Sequence, residues 1–300
     1  MPAPIIVADE PFSEDRAPVE LALAASELTG APVIAAAVRP WMISEGFTQP
    51  VPDAEPAINS SLERLHDDFG VATEIISGDS VPAAVHNLAS RLEASLIVVG
   101  STARGRTGRA LMGSTAERLL HGAPCPVALA PRGYERTSVK TVAVGFVDSH
   151  EGHDALAAAQ ALAARVGARL RVVAALHPSG GLDATKSEGL RPERGAMLQG
   201  RRRVETDEAL KRAVAALPAG VEVESELHVE DPADVLLRIS EHVELLVCGS
   251  RGYGPLRSVL LGGVSRRLVD GSGCPVLVLP RGARMPLAEA LDTRTESGVA

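Results

Sequence analysis

The sequence repeats itself at a spacing of 149 residues, and this repeat limits the fold more than any other feature. The apolar run Leu96–Ser101 (LIVVGS) recurs as Leu245–Ser250 (LLVCGS). Cys125-Pro-Val and Pro131-Arg-Gly recur at the same spacing. A period this long is a whole duplicated domain and not the unit of a solenoid. We therefore expect two domains in the 300 residues, at 1–133 and 139–282, followed by a flexible tail at 283–300.

Short aliphatic runs alternate with segments of helical period in both copies. This alternation is typical of parallel strands joined by right-handed helical crossovers. Runs such as Leu96–Val99 are apolar throughout, as expected for a sheet covered by helices on both faces. The predicted fold class is α/β, with two tandem doubly wound five-stranded parallel-sheet domains of the Rossmann-like type.

Two segments interrupt the alternation at corresponding places. Arg39–Pro56 and His177–Ala196 are rich in Pro and Gly and follow the second predicted strand of each copy. The sequence predicts long loops or lids there.

The composition of the chain argues against two classes of partner, nucleic acids and membranes. Aromatic residues make up only 2% of the chain and the net charge is −8. A nucleic-acid partner is therefore not expected, because such binding needs a basic face and often stacking aromatics. The start of the chain lacks a signal-like segment, and no apolar run would span a bilayer, so we expect a cytoplasmic protein without membrane contact.

Both copies become rich in glycine directly after the fourth predicted strand. In a doubly wound sheet, ligands bind beyond the carboxyl ends of the strands where the strand order reverses. Glycines allow consecutive amides to turn toward one point, which makes an anion cradle suited to phosphates. The sequence predicts such a cradle at Gly100–Ser114 and a second one at Gly249–Gly263.

Other site chemistries are poorly supported. The Gly100–Thr107 segment nearly matches a P-loop, but Arg106 stands where that motif needs lysine. The histidines lack metal-ligand spacing, so no metal site is expected. No residue in either glycine-rich loop is an obvious general base for attack on a γ-phosphate, so no catalytic residue is predicted. The three cysteines are interpreted as small buried hydrophobes.

With these motifs in place, the chain resembles a tandem universal stress protein. The family's nucleotide motif is Gly, two residues, Gly, nine residues, and then Gly followed by Ser or Thr. The first copy matches at Gly100, Gly113 and Ser114, but has Ala103 in place of the middle glycine. An alanine there would cost about 1–2 kcal/mol if the position needs positive φ.

The second copy matches the motif at Gly249, Gly252 and Gly262, and has Gly263 at the hydroxyl position. The lost hydroxyl forfeits a hydrogen bond with a net value of about 0.5–1.5 kcal/mol. Neither departure abolishes binding, and the first copy is favoured.

The resemblance also implies an acidic residue near adenine and ribose at the end of the first strand, and a backbone contact at the end of the second. Asp9 and Val38 match these positions in the first copy. In the second copy, Gly145 or Val147 takes the acidic position, depending on the gap, and Leu176 supplies the backbone contact.

The resemblance further implies ATP or another adenine nucleotide as ligand, with or without Mg²⁺, and a regulatory or protective role in stress. The last strands of the two domains would pair antiparallel to form a pseudo-dimer, and a homodimer of the whole chain stays open. Two alternatives remain: an interaction scaffold that binds no nucleotide because its cradles have degenerated, and a slow adenine-nucleotide hydrolase with at most weak ATPase activity.

Overall fold

A computed structural model describes residues 2–11, 13–39, 41–44, 47–50, 54–78, 80–100, 115–178, 192–250 and 263–280. The predicted tail at 283–300 lies outside these residues. The elements of the first half are β1 (Ile5–Asp9), α1 (Ala17–Thr29), β2 (Val33–Val38), β3 (Trp41–Ser44), β4 (Phe47–Pro50), α2 (Ala54–Phe69), β5 (Ala72–Ile76), α3 (Val81–Arg91), β6 (Leu96–Gly100), α4 (Thr115–Leu120) and β7 (Val127–Ala130).

The second half repeats this succession, with no described counterpart of β3 and β4. Its elements are β8 (Thr141–Phe146), α5 (His150–Val166), β9 (Arg169–Ala175), α6 (Pro192–Ala215), β10 (Val223–His228), α7 (Pro232–Ser240), β11 (Leu245–Gly249), α8 (Gly263–Gly271) and β12 (Val276–Leu279). Within the described part of the chain, no helix is both long and apolar enough to cross a membrane.

The strands form one continuous ten-stranded sheet in the order β10-β9-β8-β11-β12-β7-β6-β1-β2-β5. Within each half the five strands are parallel, and the strand order reverses between the first and fourth strands of that half. The predicted doubly wound α/β fold is confirmed. The strands β7 and β12 join the halves in an antiparallel pair, with Ala128 opposite Leu277.

Two helical layers cover the sheet. Alternate residues of β1 point to opposite layers, as the strand period of two requires. Ile5 and Val7 belong to the core under α1, α2, α5 and α6. Ile6 and Ala8 belong to the core under α3, α4, α7 and α8. Each core runs through both halves, so the chain buries its apolar residues as one body.

The connection between the halves is held against α1. The guanidinium of Arg136 donates to Glu20 at 2.6 Å and to Glu27 at 2.7 Å. The backbone amide of Gly133 donates to Asp15 at 3.2 Å, close to the start of the same helix. The short linker therefore packs on the first half.

The two interrupting segments differ from the predicted loops. Within the first, β3 and β4 pair as an antiparallel hairpin in which Trp41 lies opposite Pro50. Its aromatic and β-branched residues favour extended structure despite the flanking prolines. Much of the second segment lies outside the described residues, and α6 begins at Pro192, within the segment that was predicted to be a loop up to Ala196.

Candidate functional site

The first candidate site lies at the carboxyl ends of β1 and β6, the neighbouring strands between which the order of the first half reverses. Asp9 ends β1 and Gly100 ends β6. Each lies two residues beyond the paired residues Val7 and Val98, so the two stand side by side at the edge of the sheet. This is where an open α/β sheet places its ligand.

Asp9 is held by the helix above it. The hydroxyl of Ser61 on α2 donates to a carboxylate oxygen of Asp9 at 2.9 Å, and Ser61 itself is buried. Burial raises the pKa of Asp9 above its ordinary value, while the Ser61 hydrogen bond and the charge of Arg64 oppose this rise. The carboxyl group is therefore partly desolvated and fixed in orientation.

Val38 ends β2 beside this pair. It is buried and lies opposite Ile76 of β5. The next residue, Arg39, donates its amide to the carbonyl of Ile76 at 2.8 Å and forms an ion pair with Glu55 at 2.8 Å. The structure thus brings Asp9, Val38 and Gly100 to one edge of three adjacent strands.

The remaining first-copy residues, Ala103, Gly113 and Ser114, lie outside the described residues. Gly252 and Gly262 of the second copy do so too. Gly263 is described only as the first residue of α8. The contacts of the two glycine-rich segments therefore stay predictions.

In the second half, the strand register places Phe146 at the position of Asp9. Phe146 lies one residue beyond the paired residues Gly145 and Cys248, which brings it level with Gly249, just as Asp9 is level with Gly100. The register thus favours neither Gly145 nor Val147, which the sequence comparison offered. An apolar ring replaces the carboxylate.

Phe146 is buried, and His153 of α5 packs edge-on against it with ring centroids 5.2 Å apart. His153 also lies 3.0 Å from a carboxylate oxygen of Asp148. The space at the end of β8 is therefore closely approached by side chains of its own loop and helix.

The second-strand contact also shifts by one residue. Val38 lies opposite Ile76, and its counterpart opposite His228 is Ala175. Leu176, the residue predicted for this role, instead matches Arg39, because both donate their amides to the neighbouring strand, Leu176 to His228 at 2.9 Å.

The two strand-ending glycines have different surroundings. A Cβ atom at Gly100 would lie 3.2 Å from the Cγ of Pro18, a side-chain atom. A Cβ atom at Gly249 would lie 2.6 Å from the backbone carbonyl oxygen of Glu151 in the first turn of α5. The second half therefore packs its first helix directly onto the end of β11.

The described residues contain no cluster of three or more His, Cys, Asp or Glu side chains that could hold a metal ion. The three cysteines are buried and free, as predicted. Sequence reasoning missed the hydrogen bond between Ser61 and Asp9, because the two residues are far apart in the chain and Ser61 belongs to no motif.

Comparison with known proteins agrees with the duplication. The model of the universal stress protein family matches residues 1–131 and again residues 138–280. A universal stress protein from Mycobacterium tuberculosis is 30% identical over 232 residues, which cover 73% of this chain and 75% of the relative. A universal stress protein from Thermus aquaticus is 33% identical over 145 residues, which cover 47% of this chain and 98% of the relative.

Among solved structures, a universal stress protein from Archaeoglobus fulgidus superposes with a TM-score of 0.60 at 20% identity, covering 94% of this chain and 97% of its own. That likeness concerns the fold. The two family matches, the relatives and the shared architecture lead to one conclusion: this chain belongs to the universal stress protein family and carries two copies of its domain.

Proposed function

We propose that this protein binds ATP or another adenine nucleotide in its first half and acts as a regulatory or protective factor in the stress response. The observation that carries the proposal is the placement of Asp9, Val38 and Gly100 on three neighbouring strand ends at the reversal of strand order. Gly100 leads directly into the glycine-rich segment, whose amides would receive the phosphates.

Asp9 would recognise the nucleoside. A carboxylate can accept two hydrogen bonds from a ribose, and the contact with Ser61 uses only one of its oxygens. Partial burial strengthens such hydrogen bonds because the local dielectric is lower than that of water. The nucleoside would thus be fixed by Asp9 and the backbone at Val38, with its phosphates over the loop after Gly100.

The second half supports a different role. Phe146 cannot accept a hydrogen bond from ribose, and α5 lies against the end of β11 at Gly249. We therefore propose one nucleotide per chain, with the second half serving as a structural partner. The first half would then bind the nucleotide, and the second half would match the alternative of a scaffold that binds none. Phe146 favours that alternative for the second half alone.

Catalysis would be slow at most. Rapid phosphoryl transfer needs a positioned nucleophile and dedicated metal ligands. Where Mg²⁺ takes part, we propose that it arrives bound to the phosphates of ATP. A steady-state assay with Asp9→Ala as control would measure any turnover.

Calorimetric titration of the nucleotide-free protein with ATP, AMP and GTP tests the proposal. We expect a stoichiometry near one per chain for ATP. Asp9→Ala should weaken binding roughly 10- to 100-fold, since hydrogen bonds to charged groups contribute about 1.5–3 kcal/mol. Asp148→Ala, the same change in the loop that follows β8, should leave the affinity unchanged.

Absence of heat and of a thermal shift at millimolar nucleotide would refute the binding proposal. Equal binding in both halves would refute the assignment to the first half. Mass spectrometry of any ligand released from freshly purified protein would identify the nucleotide independently.

A further inference from the structure

Helix α6 extends well beyond the part of it that packs on the protein. It has 24 residues, whereas its counterpart in the first half, α2, has 16. Helix α2 buries side chains from its first residue, Ala54. In α6, the first buried side chain among the described ones is Ala209, and residues 196–205 are all exposed. The ten exposed residues 196–205 therefore span about 15 Å of helix.

The exposed part of α6 carries apolar side chains that a solvated helix does not need. Met197 is 77% exposed and Val204 57% exposed. Gly200, in the same stretch, lowers the intrinsic stability of the helix. Isolated helical turns of this kind are marginal in water. The ion pair between Arg201 and Glu205, at 2.7 Å, gives only local support.

These residues fall on one face of the helix. The positions Met197, Arg201, Val204, Glu208 and Lys211 are spaced by four and three residues, so they line a single stripe. We call these five residues the outer stripe. Leu210 and Ala213, which pack in the core, lie on the opposite side of the helix. The outer stripe therefore faces away from the protein.

The outer stripe carries charges that would be complementary to those of the same stripe on a second copy of the chain. A positive charge at Arg201 lies on one side of Val204, and a negative charge at Glu208 lies on the other. If a second identical helix is laid antiparallel with its Val204 against the first, Arg201 of each copy comes beside Glu208 of the other. Met197 then faces Lys211, whose aliphatic stem can cover the thioether. In such a two-fold contact, both copies use the same surface patch, and each charge is paired with an opposite charge of the other copy.

We propose that the outer stripe of α6 binds the outer stripe of a second copy of this chain, as an antiparallel helix pair centred on Val204. This interface is separate from the β7–β12 pairing inside the chain and from the nucleotide site. Its small apolar centre makes the dimer a weak and concentration-dependent one.

Charge reversal in the full-length protein tests this pairing. Sedimentation velocity over a range of concentrations should show a monomer–dimer equilibrium for the native chain. Arg201→Glu and Glu208→Arg should each raise the dissociation constant roughly tenfold or more, since each places like charges together. An equimolar mixture of the two single variants should restore it, because position 201 of each copy then meets an opposite charge at position 208 of the other. Arg203→Glu makes the same charge change off the stripe and should have little effect.

Cross-linking gives a second readout. Val204→Cys should form a disulfide-linked dimer under a mild oxidant such as copper–phenanthroline, because the two introduced thiols meet at the two-fold axis. The native cysteines are buried and should not compete. Arg203→Cys, the control, should cross-link much more slowly. A native chain that stays monomeric at every concentration, a dimer insensitive to the single reversals, or a mixture of the two single variants that associates no better than either alone would each overturn the proposal.

Discussion

Phe146 occupies in the second half the position that Asp9 occupies in the first. Both end the central strand of their half, beside the glycine that ends the neighbouring strand. Asp9 accepts a hydrogen bond from Ser61, whereas Phe146 contacts the ring of His153. Duplication has thus kept the fold while giving the two equivalent strand ends opposite polarity.

The strand-ending glycines provide a matched pair of substitutions. In Gly249→Ala the new methyl group would meet a backbone carbonyl at 2.6 Å, which cannot move without shifting α5. We expect a loss of roughly 1–3 kcal/mol in the free energy of unfolding. In Gly100→Ala the neighbour is a proline ring atom at 3.2 Å, and the change should stay within about 1 kcal/mol.

Urea unfolding of both glycine variants without nucleotide measures this difference. Equal losses would show that α5 does not constrain the end of β11 more tightly than α1 constrains the end of β6.

The raised pKa of Asp9 predicts a specific dependence of stability on pH. Burial disfavours the carboxylate form of Asp9 in the folded state, so the folded protein holds the proton more tightly than the unfolded chain. The stability that this gives is complete below the ordinary pKa of 3.8, and it is lost as pH rises through the higher pKa of Asp9 in the folded protein. Asp9→Asn cannot ionise. The free energy of unfolding of this variant, relative to the native chain, should therefore increase as pH rises from below 3.8 toward neutral.

Ser61→Ala serves as the comparison, because the Ser61 hydrogen bond lowers the pKa of Asp9. Its removal should make the native chain lose more stability over the same pH range, and it should have no such effect in the Asp9→Asn background. Urea titrations at a series of pH values measure both. A difference between Asp9→Asn and native protein that does not change with pH would contradict this account.

The two halves should stay associated when the covalent linker between them is cut. A protease site inserted between Glu135 and Thr137, then cleaved, should leave the two fragments together on size-exclusion chromatography. The reason is that β7 and β12 share backbone hydrogen bonds and both cores continue across them.

Leu277→Lys places a charge in the buried β7–β12 pair and should separate the cleaved fragments. Circular dichroism would report whether the second half stays folded. Dissociation of the cleaved native sequence would mean that the linker, and not the strand pairing, joins the halves.

The cysteines should be inert in the native protein. Burial raises the pKa of Cys125, Cys248 and Cys274 to about 12. The reactive thiolate is therefore scarce at neutral pH, and the thiols are shielded as well. We expect Ellman's reagent to modify the native chain roughly a thousandfold more slowly than the chain in urea. Rapid modification of even one thiol without denaturant would contradict this prediction.

Much of the fold followed from local patterns. The strands β2, β7 and β12 are apolar from end to end, as the sequence pattern requires of strands covered on both faces. The 149-residue repeat predicted two equivalent halves, and the family resemblance predicted the antiparallel pairing of their last strands. Asp9, Val38 and Gly100 were expected at one edge of the sheet and lie there.

Other features depended on contacts that no local pattern carries. The hairpin of β3 and β4 lies between prolines that favour loops. The helical pattern of α6 did not show that residues 196–205 would stay exposed. The equivalence of Phe146 and Asp9 was hidden by loops of different length, residues 10–16 in the first half and 147–149 in the second.

The sequence by itself determined the duplicated α/β architecture and the edge of each half at which a ligand would bind, because strand periodicity and glycine-rich turns are local and repeat in the chain. Only the tertiary structure decided that the two edges differ. Hydrogen-bond register between strands set Phe146 against Asp9, and the packing of α5 closed the end of β11, since both are relations between residues that are distant in the chain.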